Sequence, residues 1–121
     1  MSLHGCTSSQ AGLEDKAEAV LVGGRNAALR QNLLAEYKAA GIRAVDASDH
    51  ASLGGVQPDN IVNRTLLGMG AQLEMTTALR TAMFTVNTRA GRRTSTTEEF
   101  WNFAGATRAA LRRLEAGQVM P

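Results

Sequence analysis

The segment Ala19-Val20-Leu21-Val22-Gly23-Gly24 constrains this chain more than any other, because four consecutive apolar residues are stopped by two glycines. A surface helix would interleave polar residues every three or four positions, and a half-exposed strand every two. An unbroken apolar run closed by glycine reads as a strand buried on both faces. The residues that follow agree with a buried strand. Asn26 is placed to cap a helix reaching Ala40, with Gly41 as the residue just past its end. Leu29, Leu33, Leu34 and Tyr37 fall on one apolar stripe of that helix. Ile42–Val45 predicts a second short strand. Strand, helix and strand in succession make a βαβ-like unit, so the expected class is α/β, a mixed sheet flanked by helices.

The rest of the chain extends this plan. Met1–Cys6 is apolar enough to be the end of a strand, and Thr7–Lys16 is polar enough to be a loop. Residues 46–60 are dense in Asp, Ser, Gly, Pro and Asn and predict another loop. Ala71–Met75 predicts a strand entered through Gly68 and Gly70, and Thr76 or Thr77 can start a short helix through Met83. Asn87–Ser95 is a basic, polar, mobile connector. A last helix over Glu98–Glu115 opens with acids in its first turn, where the macrodipole favours them. Its inward stripe is Phe100, Phe103, Ala104, Thr107, Leu111 and Leu114.

Composition sets the bounds. The 121 residues suit one domain spanning 1–121. Cys6 has no second cysteine to pair with, which leans towards the cytoplasm. No stretch approaches the roughly 20 apolar residues of a membrane span, and the charged, glycine-broken N-terminus is no signal peptide. Two histidines cannot build a three-histidine zinc site. Residues 1–79 hold six Lys/Arg and eight Asp/Glu, whereas residues 80–121 hold seven Arg and three Glu. A basic half can serve an anionic partner, although a solvated helix face accounts for most of these arginines.

Three clusters could do chemistry. Leu3-His4-Gly5-Cys6 puts a histidine at an expected strand end beside glycine, where α/β folds place ligands; a plain surface histidine fits as well. In Asn60-Ile61-Val62-Asn63-Arg64, Asn63 and Arg64 can grip a carboxylate, or the Asn can hold a turn while the Arg is solvated. In Gly70-Ala71-Gln72-Leu73-Glu74, alternation puts Gln72 and Glu74 on one strand face, at an expected partly buried edge. Burial would raise the Glu74 carboxyl towards the range of a general base, whereas pairing with Arg80 or Arg64 would make it structural.

In this order, His-Gly-Cys, the Val-Gly-Gly strand end, Ala40-Gly41-Ile42, Pro58–Arg64 and Gly68–Arg80 resemble the phage-type poly-γ-glutamate hydrolase family. Many of its members are labelled phage-related replication proteins. The resemblance runs from Leu3 to about Arg80 and is most specific at Asn60–Arg64 and Gln72–Arg80. It implies a compact relative of the zinc carboxypeptidases, a metal-dependent hydrolase of γ-glutamyl amide bonds acting on an acidic polymer. By this resemblance His4 is a zinc ligand and Glu74 the general base and acid. Asn63, Arg64 and Arg80 are then the groups that receive substrate carboxylates. Zinc would lower the pKa of bound water and polarise the scissile carbonyl.

The family's other two zinc ligands come from an upstream His-Gly-Gly-x-Ile-Glu-like segment, and no such segment precedes His4 here. His50, in a polar loop with no carboxylate at ligand spacing, is no replacement. The resemblance therefore implies a partial domain, short of its N-terminal strand and ligand segment, that binds zinc weakly and catalyses little as it stands. It also implies action in the cytoplasm or on release by a phage. A non-catalytic carboxylate-binding remnant is the second reading. A nucleic-acid-binding protein, prompted by Arg89, Arg92 and Arg93, is the third, and it lacks both an aromatic platform and a binding motif.

Overall fold

The computed structural model describes residues 1–57, 59–64 and 68–117. Four strands and three helices follow one another as β1 (Ser2–Cys6), β2 (Val20–Gly23), α1 (Ala27–Ala39), β3 (Ala44–Asp46), β4 (Gln72–Thr76), α2 (Thr77–Ala82) and α3 (Glu98–Gly117). Short 3₁₀ turns lie at Ile61–Asn63 and Gly91–Arg93. The sheet order is β1-β4-β2-β3, with β1 parallel to β4, β2 parallel to β3, and β2 antiparallel to β4. The sheet is therefore mixed and flanked by helices, as expected.

Each element ends where its side chains stop supporting it. The Asn26 side chain accepts from Leu29 N–H at the start of α1, and Gly41 takes a positive φ of 75° just past its end. The second strand begins at Ala44 rather than Ile42, because Ile42 N–H turns back to the Tyr37 carbonyl and its side chain packs into the core. Thr76 caps α2 by accepting from Leu79 N–H, and its hydroxyl also donates to the Ala17 carbonyl. At the end of β2, Gly24 adopts a φ of 96° with the backbone of Gly70 so close that any Cβ would lie 2.2 Å from its oxygen. Only glycine permits that approach.

The main core fills the helix side of the sheet, with Val20, Val22, Leu73, Leu33, Tyr37 and Phe103 among its members. The inward stripe of α3 differs from the expected one. Ala106 and Ala110 are buried while Ala104 and Thr107 are only partly so. Small residues let the helix approach α1, and the larger side chains Phe100, Leu111 and Leu114 pack round that contact. Tyr37 and Phe103 stack across the two helices at 5.1 Å. The connector 87–95 is tied down by hydrogen bonds from Thr85 and Val86 N–H to Ser95. The other sheet face is covered by loops, where Cys6, Ala11, Leu21 and Ala47 form a smaller apolar cluster. Pro58, inside the expected loop 46–60, lies outside the described residues.

Candidate active site

Alternation along β4 sends Leu73 and Met75 into the helix-side core and Gln72, Glu74 and Thr76 to the loop-covered face. On β1 the direct partners of Gln72, Glu74 and Thr76 are Ser2, His4 and Cys6. Direct partners in a parallel pair share a face, so His4 and Glu74 stand side by side. Two expectations are corrected here. Glu74 lies on an interior strand, flanked by β1 and β2, rather than at an edge. His4 lies mid-strand rather than at a strand end.

Glu74 is 6% exposed. Its Oε1 accepts from Gln72 Nε2 at 3.2 Å, and the same amide reaches the Leu53 carbonyl while its oxygen accepts from Asn60. Burial pushes the Glu74 carboxyl above its ordinary value, and charge on His4 acts in the opposite sense. A carboxyl with a raised pKa, held by one neutral donor, is suited to exchanging a proton with water or substrate. Among the described residues, no ion pair joins Glu74 to Arg80 or Arg64, so the pairing that would make it structural is not formed. His4 is exposed, with Nε2 3.2 Å from Ser2 Oγ.

The other expected residues are placed differently. Asn63 is 2% exposed, and its amide is saturated by backbone. Oδ1 accepts from Arg25 and Gly70 N–H, while Nδ2 donates to the Gly55 and Gln57 carbonyls. An amide offers two donors and two acceptor sites, so no donor is left for a carboxylate. Asn63 instead ties three loops together, and Arg64 is exposed beside it. Arg80 is not brought to Glu74. Its guanidinium covers Gly5 on the opposite sheet face, next to Leu3 and Met75. His50 donates from Nε2 to the Gln10 carbonyl and accepts at Nδ1 from Ser52 and Leu53 N–H, which occupies both nitrogens. Sequence reading placed Gln72 on the right face but missed its hold on Glu74. The two-residue spacing on one strand was the available signal.

Among the described residues, no three His, Cys, Asp or Glu side chains are grouped to hold a metal ion. Catalytic zinc takes three protein ligands, and His4 is a candidate ligand beside Glu74. The residues present do not make a zinc site by themselves. A cleft of about 580 Å³ lined by Thr7, Asp15, Lys16, Glu18, Thr77 and Thr81, among others, includes neither His4 nor Glu74. No helix among the described residues is long and apolar enough to cross a membrane.

A family model described as poly-gamma-glutamate hydrolase matches residues 1–106. This chain belongs to the poly-γ-glutamate hydrolase family. The match carries the relation into α3, beyond the motifs ending at Arg80. The chain is 31% identical over 103 residues to the SPbeta prophage-derived UPF0714 protein YoqZ of Bacillus subtilis (strain 168). It is 29% identical over 103 residues to the UPF0714 protein YndL of the same organism. Each alignment takes in 85% of this chain and 38% of the relative. Among solved structures, a bacteriophage poly-gamma-glutamate hydrolase is similar with a TM-score of 0.82 and 34% identity, over 96% of this chain and 53% of that one. YndL in an apo, zinc-free state is similar with a TM-score of 0.78 and 26% identity, over 97% and 53%. The mixed sheet described above is thus the fold of this family. The chain spans about half the length of these solved relatives and 38% of the curated ones.

Proposed function

We propose that this chain carries the proton-transfer half of a zinc-dependent hydrolase of γ-glutamyl amide bonds, with Glu74 as general base and acid and His4 as a metal ligand. The substrate class is an acidic γ-glutamyl polymer. The observation that carries this reading is the pairing of His4 with a buried Glu74 across β1 and β4, the carboxyl raised by burial. Family membership and the similarity to a poly-gamma-glutamate hydrolase support the reaction class. A side chain with these properties can take a proton from water and return it to the leaving amine nitrogen. Arg64, exposed on the loop that Asn63 holds, is the guanidinium assigned to a substrate carboxylate in this reading; Arg80 would have to act from the far side of the sheet.

A metal site short of donors favours a second reading, a carboxylate-binding domain without catalysis. Zinc content and release of glutamate from γ-linked polyglutamate, measured on the purified chain, separate the two. Stoichiometric zinc with hydrolysis supports the enzyme, and neither one supports the binding domain. In a protein that carries the family's upstream ligand segment, Glu74→Gln should slow turnover by roughly 10²–10⁴-fold while zinc content stays constant. Zinc lost in proportion to activity would make Glu74 a ligand. Full activity would end the proposal.

A further inference from the structure

Gln72 is buried, and the chemistry of its neighbours leaves its amide a single orientation. The Leu53 carbonyl, 3.4 Å from Nε2, can only accept, so the amino end must face it. One amino hydrogen serves Leu53 and the other serves Glu74 Oε1 at 3.2 Å. That leaves Oε1 of the amide for Asn60 Nδ2, which donates to it at 3.3 Å. Gly55 completes the seat. With a φ of 64°, its backbone lies so close that a Cβ there would be 3.1 Å from both Cβ and Cδ of Gln72. The Gly55 carbonyl is held in turn by Asn63 Nδ2.

A general base works only when its carboxylate comes within hydrogen-bond reach of the proton it takes. A donor that grips one oxygen fixes the direction of the whole carboxyl group. Glu74 Oε1 is gripped in this way by Gln72, and no described residue donates to Oε2. The kind of donor matters as well. A neutral amide orients the carboxyl, whereas an Arg or Lys in its place would pair the charge and hold the proton off.

We propose that Gln72 is a positioning residue for the reaction: it aims the Glu74 carboxyl through Oε1 and leaves Oε2 to meet the proton that moves. Leu53, Gly55 and Asn60 set the aim of Gln72 itself, so the loop is part of the device. Asn63, saturated by backbone, then acts at a remove, by anchoring the loop that seats Gln72. The proposal deepens the hydrolase reading and rests on Glu74 being the base.

The geometry is tested on this chain without metal, by nuclear magnetic resonance of the Gln72 side-chain amide. Glu74→Ala removes an acceptor and Asn60→Asp replaces a donor with an acceptor, so each should shift those signals. The function is tested in a protein that carries the family's upstream ligand segment. Gln72→Met keeps the length of the side chain and removes its hydrogen bonds, so kcat should fall roughly 10–100-fold while KM and zinc content hold. Asn60→Asp should turn the amide round, set its oxygen against Glu74, and cause a similar fall in kcat. In a Glu74→Gln background neither change should slow turnover further, because Gln72 acts through Glu74. Circular dichroism checks folding, and if Gln72→Met unfolds, Asn60→Asp decides. Unmoved amide signals, zinc lost along with kcat, or losses that multiply in the Glu74→Gln background would overturn the positioning role. A slow Glu74→Gln beside an unimpaired Gln72→Met ends this proposal alone, whereas a fully active Glu74→Gln ends the hydrolase reading with it.

Discussion

His4 and Glu74 are direct partners across β1 and β4, the histidine exposed and the glutamate almost wholly buried. Their unequal burial has a consequence for stability. Desolvation raises the Glu74 carboxyl in the folded state, so the folded chain holds that proton more tightly than the unfolded chain does. The linked stability is fully present below the unfolded carboxyl pKa and is lost as pH rises through the folded value. Glu74→Gln keeps the shape and an oxygen for Gln72 but cannot titrate. Urea unfolding should show the variant gaining on the parent protein as pH rises from about 4 to 7. The opposite slope would mean that the site favours the carboxylate.

Cys6 supplies a local probe of the same charge. Its thiol is buried and pushed above its ordinary value, first by burial and then by Glu74, with Arg80 opposing. A thiolate absorbance titration should therefore give a midpoint above that of a free thiol. Glu74→Gln should move the midpoint down. If it stays put, the carboxylate and the thiol do not sense one another.

Asn63 and Arg64, adjacent in sequence, should behave oppositely. Asn63→Asp keeps both acceptor bonds but sets a charge against the Gly55 and Gln57 carbonyls. With two part-buried acceptors stripped of donors, the loss should be on the order of 1–3 kcal/mol. Arg64→Ala, at an exposed position, should change stability by less than about 0.5 kcal/mol. Denaturant midpoints of the two variants check the contrast, and a neutral Asn63→Asp would remove its role as a loop anchor.

Tyr37 links α1 to α3. Thr107 Oγ1 already donates to the Phe103 carbonyl, so the Tyr37 phenol is the donor in its 2.7 Å bond to Thr107. Tyr37→Phe should cost about 1 kcal/mol while keeping the stack on Phe103. Burial pushes the phenol up to about 12. The parent protein should therefore lose stability as pH climbs from about 10 towards 12, where the Phe variant does not. Parallel pH curves for the two proteins would contradict this.

Local signals account for what could be read directly. The Val-Leu-Val-Gly run, the Asn26 cap, the Gly41 stop and the Thr76 cap each depend on contacts within a few residues, so they are visible in sequence. The two-residue period also placed Gln72 and Glu74 on one face without any knowledge of the sheet. The family motifs pointed to His4 and Glu74 as a pair.

Strand order is set by contacts between residues distant in the chain, and no local pattern encodes it. Only the tertiary structure puts β4 between β1 and β2, which makes Glu74 interior and buried and leaves β1 as the edge. The same holds for Asn63, whose four partners come from Arg25, Gly55, Gln57 and Gly70. Sequence could name its amide as a hydrogen-bonding group but not say that backbone would consume it. Arg80 was also undecidable locally, because the absence of a side chain at Gly5, 75 residues away, draws its guanidinium to the opposite face. Short-range geometry thus determined the elements and the chemistry they carry, while long-range packing decided which of those groups are buried, saturated or brought together.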